Sequence, residues 1–145
     1  MHHCMRLIGA GQRCLELACQ RVEDRETFGK KLSQHQSIRE NIAKSYAELE
    51  MARLLVHKTC WHIDHHGVKP SIELISATKI SVPLMVQAII DRCMQMHGAG
   101  GLTEDWCMAE QFNYARWCRQ ADGPDEVHQM ALGKRIIQQY AEASS

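Results

Sequence analysis

The sequence predicts an all-α protein: an up-and-down bundle of about five helices in one domain spanning residues 1–145. Apolar residues recur three to four positions apart along most of the chain, the spacing that lines one face of a helix. The few glycine and proline breaks divide the chain into segments of helical length. No stretch alternates apolar and polar residues convincingly, as a half-buried strand would.

Taken in order, the first helix starts near Met5, where Ile8, Leu15, Cys19 and Val22 share a face. It is expected to end near RETFG at 25–29, with Gly29 as its left-handed stop. From Ser37 the series Ile38, Ile42, Tyr46, Leu49, Ala52 and Leu55 predicts a long amphipathic helix. Glu40 and Lys44 would pair four apart on another face, and Gly67 and Pro70 would end it. Between Ser71 and His97 no wide polar face remains, which predicts an interior helix, or one also covered by another subunit. Pro83 lies well past its first turn and should kink it. The GAGG run at 98–101 breaks the chain, and Thr103 is expected to cap a fourth helix from Trp106 to Arg119, with Glu104 and Asp105 in its first turn. A fifth helix starts at DGP, residues 122–124, and runs to about Ala141.

Seventeen basic residues balance seventeen acidic ones, which disfavours nucleic acid and anionic membranes as partners. No apolar run approaches the roughly 20 residues of a membrane span, and the opening MHHCMRLIGAG lacks the sustained apolar core of a secretory signal. A soluble, intracellular protein is therefore expected. Seven cysteines, an odd number without CxxC spacing, read as reduced core thiols. Met85, Met94, Met96 and Met108 read as core filler.

The stretch QADGPDEVHQ at 120–129 carries the strongest chemical signal and admits two readings. Proline suits the first position of a helix, with Gly123 or Asp122 as cap and Asp125 and Glu126 favoured by the helix dipole. A carboxylate at such a sharp entrance could equally project into a cleft as a base. His62 and His66, four apart and near His57 and Cys60, could chelate a metal. They lack a further acidic or cysteine partner at zinc-like spacing, so no metal site is assigned. The HGAGG run lacks the strand and lysine of a phosphate loop, and RETFG could serve an anionic planar ligand or a subunit contact.

Together, RETFGKKLSQHQ, then QMHGAGGLTED, then YARWCRQADGPDEVH resemble the C-terminal domain of the acyl-CoA dehydrogenase family. That pattern reads Arg-x-x-Phe-Gly-x-x-Leu-x-x-x-Gln, then Gln-x-x-Gly-Gly-x-Gly, then an acidic residue before Gly. The ADGPDEVH segment is similar to the branch containing family members ten and eleven. The resemblance implies a helical bundle that packs against its copies as a homodimer or homotetramer and lends residues to a neighbour's FAD. Arg25 would contact the flavin pyrophosphate, with Phe28 and Gln36 alongside; Gln95, Gly98 and Gly100 would approach the adenine end. Ala99 stands where the family has its second glycine.

By the same resemblance, Asp122 is the carboxylate that removes an α-proton from an acyl-CoA while the β-hydride passes to flavin. Glu126 would keep a flavin contact, and Pro124 replaces a residue with a hydroxyl. Some relatives carry the base at a position that would fall just before Met1. The family's N-terminal helical and middle β domains are absent from this chain, which is therefore expected to be inactive alone. Electrons would leave to an electron-transfer flavoprotein or to oxygen, and the compartment would be the bacterial cytoplasm, the mitochondrion or the peroxisome. The competing reading is a noncatalytic oligomerisation module that has lost flavin chemistry.

Overall fold

The computed structural model describes residues 1–143, and five α-helices account for most of them. They are α1 (His2–Asp24), α2 (Gln36–His66), α3 (Ile72–His97), α4 (Met108–Cys118) and α5 (Asp125–Ala143). The link between α1 and α2 holds a two-stranded antiparallel ribbon, β1 (Glu26–Thr27) and β2 (Lys30–Lys31). Short 3-10 turns at Leu32–Gln34, Lys69–Ser71 and Gly98–Leu102 complete the connections.

α3 is the interior helix, packed by all four others, and its burial explains its composition. Val82, Val86, Ile89, Ile90 and Cys93 are fully buried, while Leu84 and Ala88 keep a narrow exposed edge. Contrary to the sequence reading, one stretch among the described residues, Lys69–Leu102, is long and apolar enough to cross a membrane. In the fold that apolarity serves the bundle core, because its centre meets side chains from α1, α2 and α4. The helix runs unbroken through the buried Pro83.

α1 lies parallel to α3, with Cys4 near Thr78 and Gly11 against Val86. Gly11 also meets Leu49 of α2; a Cβ there would stand 3.3 Å from both neighbours, so its smallness lets three helices approach. α2 runs antiparallel to α3. The hydroxyls of Thr59 and Thr78 share a buried hydrogen bond of 2.7 Å, and Arg92 donates to Ser45 and pairs with Glu48.

Several local expectations shift by a turn or a face. α1 ends at Asp24, and its flanking Arg25 is extended, so the chain turns into a hairpin before Gly29 is reached. Phe28 (φ +53) and Gly29 (φ +77) form its tip, and two positive φ values are what a tight primed turn requires. The true core positions of α2 are Ser45, Leu49, Ala52, Val56 and Thr59, whereas Tyr46 is exposed, as is Cys19 on α1. Glu40 accepts from Gln36 at 2.7 Å, taking the place assigned to Lys44. α4 starts at Met108 rather than Trp106, because Thr103 bonds back to Gly100 and to Asp105 and caps nothing. All seven cysteines are free, four of them buried. Burial raises the pKa of Cys93 to about 12 and that of Cys4 and Cys118 upward, which keeps these thiols protonated.

Candidate functional site

Asp122 occupies the turn between α4 and α5 with φ +55, and Gly123 follows at φ +100. A left-handed residue bearing a side chain is uncommon and needs surrounding structure to hold it. Three residues do so here. The Asp125 amide donates to the Arg119 carbonyl at 3.1 Å across the turn. His128 Nε2 lies 3.1 Å from the Asp122 carbonyl, while its Nδ1 is 3.3 Å from the Ser76 hydroxyl. Lys79, on α3 and only 8% exposed, donates to the carbonyls of Cys118 at 2.6 Å and Gly123 at 3.3 Å. Glycine is required at 123 twice over, by its φ and because a Cβ would stand 3.0 Å from His128 Nε2.

This backbone leaves the Asp122 carboxylate free of the helix it precedes. Amides of Val127 and His128 donate to the Pro124 carbonyl, so Pro124 borders α5 and the helix itself begins at Asp125. The Asp122 side chain, 74% exposed, places Oδ2 3.4 Å from His3 Nε2. His3 Nδ1 lies 3.0 Å from the Tyr114 hydroxyl, and its ring meets Trp117 edge-on. A small cavity of about 90 Å³ adjoins the carboxylate, lined by Met1, His3, Cys4, Lys79, Asp122 and His128 among others. Asp125 plays a different part. Buried at the start of α5, it takes a 2.7 Å ion pair from Arg119, which also donates to Gln87. Glu126 is exposed.

The remaining predicted ligand residues gather at the opposite end. Arg25 flanks the end of α1 and Phe28 stands at the tip of the β1–β2 hairpin, 97% exposed. Gln36, at the start of α2, is engaged with Glu40. Gln95 is exposed near the end of α3, and Gly98 closes that helix at φ +62 with open space where a Cβ would be. From Lys79 to Gln95 is about 24 Å along the helix axis at 1.5 Å per residue, so one chain does not bring Asp122 and these residues into one cleft. None of the described cavities is lined by Arg25, Phe28, Gln95 or Gly98.

Sequence reasoning missed two structural essentials here. Gly101, not Gly100, is the close-packing glycine: a Cβ would come within 2.7 Å of the Met94 carbonyl oxygen and 2.9 Å of its Cα. At Gly100 the nearest foreign atom is Trp106 Nε1 at 3.5 Å. His97, 4% exposed, donates from Nδ1 to the Cys93 carbonyl and leaves Nε2 buried without a partner. Desolvation lowers its pKa from the ordinary histidine value. The histidines of α2 stay apart from any cage. His62 meets Ser71 at 2.8 Å, His65 stacks on Trp61, and no group of three or more potential ligands assembles among the described residues.

Residues 1–137 match the family model described as "Acyl-CoA dehydrogenase, C-terminal domain". The chain belongs to the acyl-CoA dehydrogenase family. Its relatives include acyl-CoA dehydrogenase family member 10 of Mus musculus, 46% identical over 134 residues, covering 92% of this chain and 12% of the mouse protein. A Mycobacterium abscessus protein, solved as a candidate acyl-CoA dehydrogenase, superposes with a TM-score of 0.94 at 40% identity, over 96% of this chain and 34% of that one. A glutaryl-CoA dehydrogenase from Mycobacterium smegmatis, solved in complex with FADH2, gives 0.86 at 28% identity, over 92% of this chain and 34% of its own. The chain thus spans about one third or less of the proteins it matches. The bundle, α1 to α5, is the acyl-CoA dehydrogenase C-terminal domain, and the DGP turn lies within the matched region.

Proposed function

We propose that this domain works within an FAD-dependent acyl-CoA dehydrogenase, with Asp122 as the base that removes the α-proton of an acyl-CoA. The observation carrying this reading is the left-handed turn that presents a carboxylate, not engaged in capping the helix, beside a cavity. When bound, FAD supplies the acceptor for the β-hydride. The chain's part is to hold a carboxylate that gains a proton and to exclude alternative positions for it. Aspartate is one methylene shorter than glutamate, and placement within about 1 Å matters on the order of a hundredfold in rate.

The exposed Arg25, Phe28, Gln95 and Gly98 fit a cofactor held between surfaces rather than inside this chain. A guanidinium suits pyrophosphate oxygens, an aromatic can shield that contact, and the open backbone at Gly98 admits a close approach. Gln36 and Glu126 would lie along the flavin. Gly100 belongs to this set as a spacer, beside the tightly packed Gly101. An assembly of two or four copies would bring the two ends together, and exposed Leu54, Trp61, Met130 and Ile137 offer apolar surface for it. Electron-transfer flavoprotein or oxygen would take the electrons onward, in the bacterial cytoplasm, mitochondrion or peroxisome. Ala99 and Pro124 favour a second reading, an oligomerisation module without flavin chemistry.

The test is made on the complete polypeptide containing this domain. A yellow dimer or tetramer by absorbance and light scattering, whose Asp122→Asn variant keeps FAD but loses α-proton exchange, is the expected outcome. Normal turnover by that variant removes Asp122 as base, and a colourless oligomer that cannot take up FAD establishes the module. This chain alone with added FAD should show no turnover.

A further inference from the structure

Among the described residues, the buried Lys79 hydrogen-bonds only to neutral backbone. Its Nζ donates to the carbonyl oxygens of Cys118 and Gly123, and no carboxylate lies within ion-pairing distance of it among the described residues. Burying an ammonium without a carboxylate partner is unfavourable, and an apolar side chain would serve packing better. The two carbonyls it grips belong to the last residue of α4 and to the residue after Asp122, so a single nitrogen spans the turn that carries the carboxylate. Of its three donors one remains, and the ammonium lines the same cavity as Asp122.

We propose that Lys79 is the positioning residue of the base: its one nitrogen clamps the left-handed turn that carries Asp122. The proposal rests on the dehydrogenase reading for its consequence in catalysis, while the clamp stands on geometry alone. Other groups share the setting. His3 and Cys4 line the cavity from α1 and His128 from α5, and Cys118 closes α4 with the carbonyl that Lys79 grips. Cys4 and Cys118 feel the Lys79 charge, which opposes the upward push of burial on both thiols.

Two variants of the complete polypeptide separate the roles. Lys79→Gln keeps N–H donors and removes charge; Lys79→Arg keeps charge and cannot place one nitrogen on both carbonyls. Hydrogen–deuterium exchange across residues 119–128 reads the clamp without any assay of turnover. Exchange there should quicken about tenfold or more in both variants, and unchanged exchange overturns the clamp. For the catalytic consequence of the clamp, kcat should fall on the order of a hundredfold in Lys79→Gln with KM within a few-fold. An FAD-loaded Lys79→Gln enzyme with wild-type kcat overturns the catalytic role. If Lys79→Gln does not fold, Lys79→Arg decides: wild-type kcat and exchange overturn the proposal, and lowered kcat with quickened exchange supports it. Wild-type inactivity, or full activity of Asp122→Asn, refutes the dehydrogenase reading instead and leaves the exchange result to judge the clamp.

Discussion

At Asp122 the local backbone and the chemistry pull in different directions. The left-handed conformation is cheapest for glycine and tolerated by aspartate, so Asp122→Gly in the complete polypeptide should leave thermal stability unchanged or raise it by roughly 0.5 kcal/mol. The same change should abolish turnover, so a calorimetric scan and an assay on one sample would separate strain from function. Gly101 poses the opposite case. An added Cβ meets the backbone of Met94 at 2.7 Å, which cannot swing aside. Gly101→Ala should lose about 1–3 kcal/mol in denaturant unfolding, whereas Gly100→Ala, with only Trp106 nearby at 3.5 Å, should stay within about 0.5 kcal/mol. The sequence signal that could have found Gly101 is its place as the last glycine of the Gln-x-x-Gly-Gly-x-Gly pattern.

At the scale of elements, the last turn of α3 carries a pH dependence. His97 is buried with Nε2 unpartnered, so its folded-state pKa lies below the ordinary 6.5. The unfolded state then binds the extra proton first, and stability present above pH 6.5 is lost as pH falls through the folded value. Unfolding curves from pH 7.5 downward should show this loss, and His97→Gln should flatten it. The hairpin between α1 and α2 makes a second case. Phe28 exposes 97% of its surface in a left-handed conformation, a poor arrangement for an isolated domain. Phe28→Asn should leave stability unchanged or raise it by roughly 0.5 kcal/mol, because asparagine accepts this backbone. It should also weaken FAD retention in the complete enzyme, measured by flavin released on dilution.

At the scale of the molecule, α5 packs on α3 yet buries only Asp125 fully. Val127, Met130 and Ile137 are exposed at spacings of three and seven, one helical face left apolar. A face of this kind, continued by Leu54 and Trp61 elsewhere, suits a contact between copies. Met130→Glu with Ile137→Glu should lower the mass of the complete polypeptide measured by light scattering, with helix content by circular dichroism unchanged. Retention of the full oligomer would move the contact to another face.

The sequence by itself determined the helix count, the interior helix and the family. Those properties follow from local periodicity, from a segment apolar on nearly every side, and from three motifs whose order survives without coordinates. Its stripe on α2 drifted because Ser45 and Thr59 are buried through pairing across helices, which no hydrophobic pattern announces. The turn at Asp122 was legible as a cap or a base. Only the tertiary structure took its carboxylate away from the helix end, turning it toward His3 and a cavity assembled from α1, α3 and α5. Lys79 was invisible for the same reason: a lysine in an apolar run reads as a solvated interruption until the carbonyls it grips, about forty residues onward, are folded against it.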